Sequence, residues 1–194
     1  ILGGEVDAIG FVYGKKEAIK WRPLNDKRFT QDGAARIFWG VDEARAAAEA
    51  NTIVITEGEI DALSVGASII DDQIVVMSVP NGAPQRVSNR RVDPSEDNKF
   101  NYVWEAKDLI EDCEKIVLAV DFDEAGEALR EELARRIGRG KCYQVNYPAE
   151  CKDMNDVLVR YGEGAVRKLV EEAEPMPLEG VYMVDDYRAE VNHL

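Results

Sequence analysis

The chain has 194 residues, of which 45% are hydrophobic, enough for one large domain or for a small domain packed on a larger one. No apolar run approaches the roughly 18 residues of a membrane span, and the first ten residues lack the basic start of a secretory signal. The net charge of −14 argues against a general binder of duplex nucleic acid, which would normally present a basic face.

The charge is unevenly distributed along the chain. Residues 1–40 carry seven Lys and Arg against five Asp and Glu, a net charge of +2. The rest of the chain therefore carries −16, which gives the total of −14. Contact with a polyanion should therefore involve the amino-terminal segment, or metal ions that bridge the acidic part. Because the sequence does not begin with Met, we also expect it to be a fragment of a longer protein.

The cysteines and the single histidine limit the possible metal chemistry. Cys113, Cys142 and Cys151 are widely spaced and form no Cys-x-x-Cys pair. This pattern favours a reducing compartment and argues against a zinc site. His193 lies beside the last residue and is interpreted as part of a tail rather than as a catalyst.

Residues 1–50 are predicted to form a small β-rich subdomain that ends in a bridging helix. Strand-like runs are predicted at 9–13 and 18–22, joined by a hairpin-type break at 14–16. A further turn and strand are predicted at 26–29, and an Ala-rich helix at 41–51. Alternation in the second strand puts Lys20 and Arg22 on one face, opposite Trp21. That basic face either contacts nucleotide or template phosphates or is the solvated side of a small sheet.

Residues 51–174 alternate apolar strands with helices. Strands are predicted at 52–55, 74–79, 116–120 and 141–146, and helices at 59–70, 102–112 and 124–137. This order predicts an α/β fold with a mostly parallel four-stranded, Rossmann-like sheet flanked by helices. The helix at 59–70 is expected to bury Ile60, Leu63, Ala67 and Ile70. The stretch 85–101 is interpreted as a long mobile loop, and 175–194 as a linker-like tail.

Acidic residues follow two of the predicted strands. Glu57 lies just after the strand at 52–55, and Asp121 and Asp123 lie just after the strand at 116–120. The carboxyl ends of parallel strands meet at one crevice, and strand alternation would aim both aspartates to one side of it. Carboxylate oxygens suit Mg²⁺. The alternative is that Asp123 and Glu124 are helix caps and that Glu57 is a solvated turn residue.

A loop after the fourth strand can join the same crevice. Within this loop, Asp153 is a candidate ligand of a second metal ion, and Lys152 is a candidate contact for phosphate. The alternative is a helix cap with a flanking charge.

Three short motifs together resemble the TOPRIM domain of primases, topoisomerases and some small nucleases. They are Glu57-Gly58-x-x-Asp61, Asp121-x-Asp123 and the segment 151–156. The resemblance is strongest to the primase part of bacteriophage primase-helicases and of Twinkle-like proteins. It covers nearly the whole chain, and the turn that contains Gly82 resembles the glycine loop of that family.

The resemblance implies the catalytic core of a DNA primase. It implies that Glu57, Asp121 and Asp123 are catalytic and, with Asp153, hold Mg²⁺ or Mn²⁺. Nucleotide or template would meet Lys20, Arg22, Gly82 and Lys152. Whether Glu57 binds metal or removes a proton stays open, and Asp61 is assigned to its helix, with support of the metal ligands as the alternative.

The implied partners are ribonucleoside triphosphates, a single-stranded DNA template and a helicase, without a membrane, in the cytoplasm of a bacterial or phage-infected cell. Two other readings remain. One is a non-catalytic TOPRIM scaffold attached to a replicative helicase. The other is a fragment of a TOPRIM nuclease or topoisomerase, although a topoisomerase would need a nucleophilic Tyr on another domain.

Overall fold

The computed structural model describes residues 6–26, 28–88 and 91–178, whose strands form two sheets. The smaller sheet is antiparallel and has the strand order β1-β2-β3. Its strands are β1 (Ala8–Tyr13), β2 (Ala18–Pro23) and β3 (Thr30–Gly33). The predicted hairpin and β-rich subdomain are therefore confirmed. Of the turn and strand predicted at 26–29, the turn lies at Asp26, whose carboxylate accepts a hydrogen bond from the Arg28 amide at 3.0 Å, and the strand begins later, at Thr30.

The larger sheet has five strands rather than the four predicted, in the order β5-β4-β6-β7-β8. They are β4 (Thr52–Thr56), β5 (Ile74–Ser78), β6 (Lys115–Ala119), β7 (Cys142–Gln144) and β8 (Glu174–Pro175). The first four run parallel, whereas β8 pairs antiparallel with β7. The Met176 amide donates to the Cys142 carbonyl at 2.9 Å and its side chain is buried, so the fold continues past residue 174.

Helices cover both faces of the larger sheet. They are α1 (Val41–Ala46), α2 (Glu59–Ser68), α3 (Asn101–Glu105), α4 (Lys107–Asp112), α5 (Glu124–Ile137), α6 (Met154–Tyr161) and α7 (Glu163–Glu171). Ile55 and Leu118 point into a core that contains residues of α1, α3, α4 and α5. Val54 and Val117 point into a second core with α2, α6 and α7. Strands buried on both faces explain the continuous apolar runs of the sequence. No helix of the described residues is long and apolar enough to cross a bilayer.

The predicted buried face of α2 is wrong for three of its four residues, because Leu63 and Ala67 are exposed and the helix ends at Ser68, before the exposed Ile70. The fourth residue, Ile60, is half-buried and packs against the core of the smaller sheet. The helix instead buries Ala62 and Val65 with two serines, and it packs against α6 and α7. The hydroxyls of Ser64 and Ser68 donate to helix carbonyls at 2.8 and 2.7 Å. These internal bonds make two small polar side chains compatible with burial.

The stretch predicted as a mobile loop is anchored by buried charge. Arg136 on α5 donates to both carboxylate oxygens of Asp97, at 2.5 and 2.9 Å, and also to the Glu132 carboxylate. The Ser88 amide donates to Glu132 as well. The Arg136 guanidinium lies 3.7 Å from the ring centre of Phe100. The helix predicted at 102–112 is also divided at Ala106 into α3 and α4.

Candidate active site

Strand pairing brings the two acidic motifs together. In the parallel pair of β4 and β6, Thr56 lies opposite Ala119, so Glu57 and Asp121 both emerge at the carboxyl edge. The edge forms the floor of a cleft of about 490 Å³, with the smaller sheet as its other wall. The predicted site residues that line this cleft are Lys20, Arg22, Glu57, Gly82 and Asp121, joined by Asp61.

Glu57 has an unusual environment for a carboxylate. Its Oε2 atom is buried and has no hydrogen-bond partner among the described residues. Burial raises the pKa of Glu57 above its ordinary value, and the nearby Asp123 carboxylate raises it further. Backbone groups of Ala83 and Asp121 and the charge of Lys152 act in the opposite direction. Glu57 is therefore not the solvated turn residue of the alternative interpretation.

Asp121 and Asp61 share this repulsive environment. Burial, followed by the charges of Glu57 and Asp61, raises the pKa of Asp121 to about 7. Burial and the nearby Asp153 raise the pKa of Asp61 to about 6, although its Oδ1 accepts a hydrogen bond from the Asn155 amide at 3.0 Å. Asp61 is thus a member of the acidic cluster and not only a residue of α2.

Asp123 has a different setting. Strand β6 ends at Ala119, so strand alternation does not extend to Asp121 and Asp123. Asp123 is the N-cap of α5, and its Oδ1 accepts a hydrogen bond from the Gly126 amide at 2.9 Å. Its side chain lines a second groove rather than the main cleft. The capping interpretation therefore holds for Asp123, while its influence on Glu57 shows that the two carboxylates lie close enough to interact.

Gly126 fixes the approach of α5 to Asp121. A methyl group on Gly126 would lie 1.9 Å from the Asp121 carbonyl oxygen, so no other residue fits without moving one of them. This glycine follows the Asp121-x-Asp123 motif by three residues, but the sequence alone does not reveal the contact. The close approach orients the backbone from which the Asp121 carboxylate extends.

The loop before α6 reaches the same edge. The Phe122 amide donates to the Lys152 carbonyl at 2.6 Å, which ties this loop to the Asp121 turn. Lys152 Nζ lies 3.8 Å from one carboxylate oxygen each of Asp121 and Asp153. Asp153 caps α6 by accepting a hydrogen bond from the Asp156 amide at 2.7 Å. The cap and the position beside the acidic cluster therefore coexist.

The basic face of β2 is partly engaged within the protein. Lys20 Nζ lies 2.8 Å from Glu59 Oε1, and the Tyr13 hydroxyl donates to the same oxygen. Glu59 is buried at the start of α2, so this contact joins the smaller sheet to the helix that covers the larger one. The sequence did not indicate this role, because a glutamate in the first turn of a helix is usually exposed. Arg22 lies 5.6 Å from the ring centre of Phe29 within the cleft.

Gly82 contributes an open backbone to the cleft wall. A methyl group added to it would meet nothing within 4 Å, so internal packing does not require glycine at this position. What the glycine leaves is room for a ligand to approach the backbone.

The donor set fits a hard divalent cation. Within the described ranges, no group of three or more His, Cys, Asp or Glu side chains is already arranged to hold a metal ion. Mg²⁺, however, is usually held by one or two carboxylates with substrate oxygens and water. The unpartnered oxygen of Glu57 beside the repelled carboxylate of Asp121 meets that requirement.

A mostly parallel sheet with acidic residues after two adjacent strands defines a TOPRIM-type domain. The Toprim-like family matches residues 54–158, and the chain belongs to that family. Domains of this family generally bind divalent metal.

The Twinkle homolog protein, chloroplastic/mitochondrial, of Arabidopsis thaliana is 33% identical over 201 residues, covering 98% of this chain and 27% of the relative. The Primase homolog protein of the same plant is 35% identical over 179 residues, covering 88% of this chain and 51% of the relative. The chain therefore spans about a quarter to a half of these relatives. The primase fragment of the bacteriophage T7 primase-helicase has the same fold, with a TM-score of 0.64 at 24% identity over 85% of this chain and 63% of that one.

Proposed function

We propose that this chain is the catalytic core of a DNA primase, which joins ribonucleotides into RNA primers on a single-stranded DNA template. The observation that carries the proposal is the buried, unpartnered carboxylate oxygen of Glu57 beside Asp121 in a cleft open to ligand. In a purely structural carboxylate each buried oxygen would normally have a hydrogen-bond partner, whereas the backbone contacts of Glu57 leave Oε2 without one among the described residues. The name of the plant Primase homolog protein supports a role in priming.

In the proposed reaction, the 3′-hydroxyl oxygen of one ribonucleotide forms a bond to the α-phosphorus of the next. The bond from that phosphorus to pyrophosphate breaks, and the hydroxyl proton leaves. Bound Mg²⁺ or Mn²⁺ supplies neutralisation of the phosphate charge. Asp121, Asp123 and Asp153 would hold the metal, and Glu57 would either join them or take the proton through Oε2.

Cations around the cleft would orient the substrates. Lys152 lies between Asp121 and Asp153, where it can also meet a phosphate oxygen. Arg22 and Lys20 lie on the opposite wall, and the ion pair with Glu59 holds the Lys20 ammonium group in a fixed position. The open backbone at Gly82 provides a further contact for nucleotide or template.

The remaining partners and the compartment belong to the same proposal. A helicase domain or protein would complete the primase, as the name DNA helicase/primase of a relative in Enterobacteria phage T3 suggests. The three buried free cysteines favour a reducing compartment. Our expectation of a bacterial or phage-infected cytoplasm stays a prediction. The name of one plant relative gives a different compartment for that protein, the chloroplast or mitochondrion.

The proposal is tested by Glu57→Gln in the full-length protein, assayed for dinucleotide and primer synthesis with Mg²⁺ or Mn²⁺. The swap keeps the size of the side chain but removes its charge. We expect synthesis to fall by roughly 10²-fold or more while the fold persists. Glu171→Gln, on the exposed surface of α7, is the matched control and should retain full activity.

Two results would contradict the primase. Full activity in Glu57→Gln would remove the catalytic role of this residue. A wild-type protein that makes no primer with any metal or template would favour the scaffold. Metal binding is measured separately: at 100 times the Kd, Mg²⁺ should stabilise the protein by about 2.7 kcal/mol, and Asp121→Asn/Asp123→Asn should abolish that gain.

A further inference from the structure

A second groove shares Asp121 with the main cleft. It has a volume of about 360 Å³, and Phe122, Val145, Tyr147 and Arg130 line it together with Asp121 and Asp123. Volumes of this size are typical of small-molecule pockets. Because Asp121 borders both the groove and the cleft, one ligand can occupy the groove and still reach the acidic cluster.

Phe122 is an exposed aromatic residue at the groove, a surface position at which solubility alone would favour a polar side chain. Its side chain is 70% exposed although it lies between two aspartates. The hydrogen bond from its amide to the Lys152 carbonyl, at 2.6 Å, fixes the backbone that carries the ring. The ring is therefore an accessible flat surface on a fixed backbone, suited to stacking against another flat ring.

Two buried hydrogen-bond donors at this groove lack acceptors. The hydroxyl of Tyr147 and the Nε–H of Arg130 have no partner among the described residues. Arg130 does pair with Glu127 through its terminal nitrogen, so its orientation is fixed. A buried donor without an acceptor costs about 1–3 kcal/mol, a cost that a ligand with acceptor atoms would remove.

The chemistry of the groove limits its ligand. The carboxylates that line the groove, including Glu124 and Glu127, repel an anion that carries no cation. The apolar walls favour a neutral ring, and the two donors require that ring to carry nitrogen or oxygen acceptors. A nucleobase has both properties, and its phosphates would meet the acidic cluster only through a divalent cation.

We propose that this groove binds the base of a ribonucleotide, stacked on Phe122, with acceptor atoms directed at Tyr147 and Arg130. The proposal rests on the primase function, since it assigns a position to one of the two substrates of that reaction. Phe122 and Tyr147 are then binding residues that act on affinity and do not take part in the transfer itself.

The test compares ligands with and without a base by titration calorimetry on the full-length protein in Mg²⁺. The ligands are ATP, GTP and inorganic tripolyphosphate. We expect both nucleotides to bind at least 10-fold more tightly than tripolyphosphate, because stacking of one base contributes about that factor or more. Phe122→Ala should lose that preference, with tripolyphosphate binding unchanged. Tyr147→Phe, which removes only the hydroxyl, should weaken nucleotide binding about 5- to 10-fold.

Tyr161→Ala is the matched control, since Tyr161 is 55% exposed on α6 and lines neither the groove nor the cleft. It should bind all three ligands as the wild type does. Equal binding of nucleotides and tripolyphosphate by the wild type, or nucleotide binding by Phe122→Ala at wild-type strength, would overturn the base site. Either result would leave the primase standing if Glu57→Gln still abolished primer synthesis. Primer synthesis by Glu57→Gln at the wild-type rate would instead contradict the proposed catalytic function.

Discussion

Two clusters of buried charge in this protein have opposite electrostatics. In the α5 cluster, formed by Glu132, Arg136 and Asp97, the carboxylates are paired with a guanidinium. In the cleft cluster, within the part of the chain that the structure describes, Glu57 has an oxygen without a partner, and the nearest cation of Asp121 is the ammonium group of Lys152 at 3.8 Å. Both clusters lie beside the same helix, since Asp123 caps its first turn and Arg136 belongs to its last turn.

The pKa values express the difference. Burial raises the pKa of Asp97, but its hydrogen bonds from Arg136 and Trp104 outweigh burial and hold the pKa below its ordinary value. In the cleft, burial and neighbouring carboxylates act in the same direction and raise the pKa of Asp121 to about 7. Buried charge with internal partners stabilises a fold, whereas buried charge without them is typical of sites that await a ligand.

The largest expected effect removes the cation of the α5 cluster. Arg136→Ala removes the guanidinium that Asp97 and Glu132 share and deletes the stacking on Phe100. The buried Glu132 then keeps the ion pair with Arg135, and Asp97 keeps the hydrogen bond from Trp104 but loses its paired cation. We expect the free energy of unfolding to fall by about 3–5 kcal/mol, measured by urea denaturation.

The control is Arg160→Ala, which breaks an exposed ion pair with Glu150. That pair should contribute less than about 1 kcal/mol. Similar losses in the two variants would show that the α5 cluster is not energetically distinct from the surface.

A smaller loss of stability is expected from Gly126→Ala, which changes the packing beside Asp121 but removes no charge. Gly126→Ala would force the helix or the Asp121 backbone to move, since the new methyl group has 1.9 Å where it needs more than 3 Å. Overpacking of this kind costs about 1–3 kcal/mol, and the displaced carboxylate should also weaken Mg²⁺ binding.

Gly66→Ala is the matched comparison, because Gly66 is also helical but has nothing within 4 Å of the added group. It should stabilise the protein by about 0.5–1 kcal/mol and leave Mg²⁺ binding intact. Unchanged Mg²⁺ affinity in Gly126→Ala would separate this glycine from the site.

The sequence predicts the cleft better than the α5 cluster. Apolar runs that end in Glu57 and Asp121 predict both the parallel strands and their shared edge, because strand direction alone decides where those ends meet. The partners of Glu132 and Arg136 depend on how a distant loop folds onto α5, and the sequence pattern of a helix shows only two ordinary charges. Local patterns cannot reveal which surface charge a loop will cover.

Short and atypical elements also escape prediction. Strand β8 has two residues, one of them Pro175, and pairs only at an edge of the sheet. Helix α2 buries Ser64 and Ser68, whose internal hydrogen bonds are not visible in a hydrophobicity pattern. In both cases tertiary packing outweighs local propensity.

The smallest expected effect reverses the usual sign of a mutation. The folded-state pKa of Asp121, about 7, lies above its ordinary value of 3.8, so its contribution to stability is present below pH 3.8 and lost as the pH rises through 7. In chelator, Asp121→Asn should therefore be more stable than the wild type at pH 8, by about 1–2 kcal/mol given solvent screening, and equal to it near pH 4.

Thermal unfolding at both pH values, with and without Mg²⁺, measures this difference. Added Mg²⁺ should stabilise only the wild type and so reduce the gap at pH 8. A variant that is less stable than the wild type at pH 8 in chelator would place Asp121 among the stabilising charges, with Asp97.

The parallel strands of the larger sheet place the candidate site at their carboxyl ends and leave their amino ends away from it. Every candidate residue from this sheet follows the carboxyl end of a strand, whereas the turn before β5, at residues 71–73, lies at the amino end. Asp72 is exposed in that turn, next to the fully accessible Ile70. A fluorophore or an immobilisation tag attached at residue 72 would therefore leave the cleft accessible to a ligand, so this turn is a suitable attachment point for single-molecule measurements.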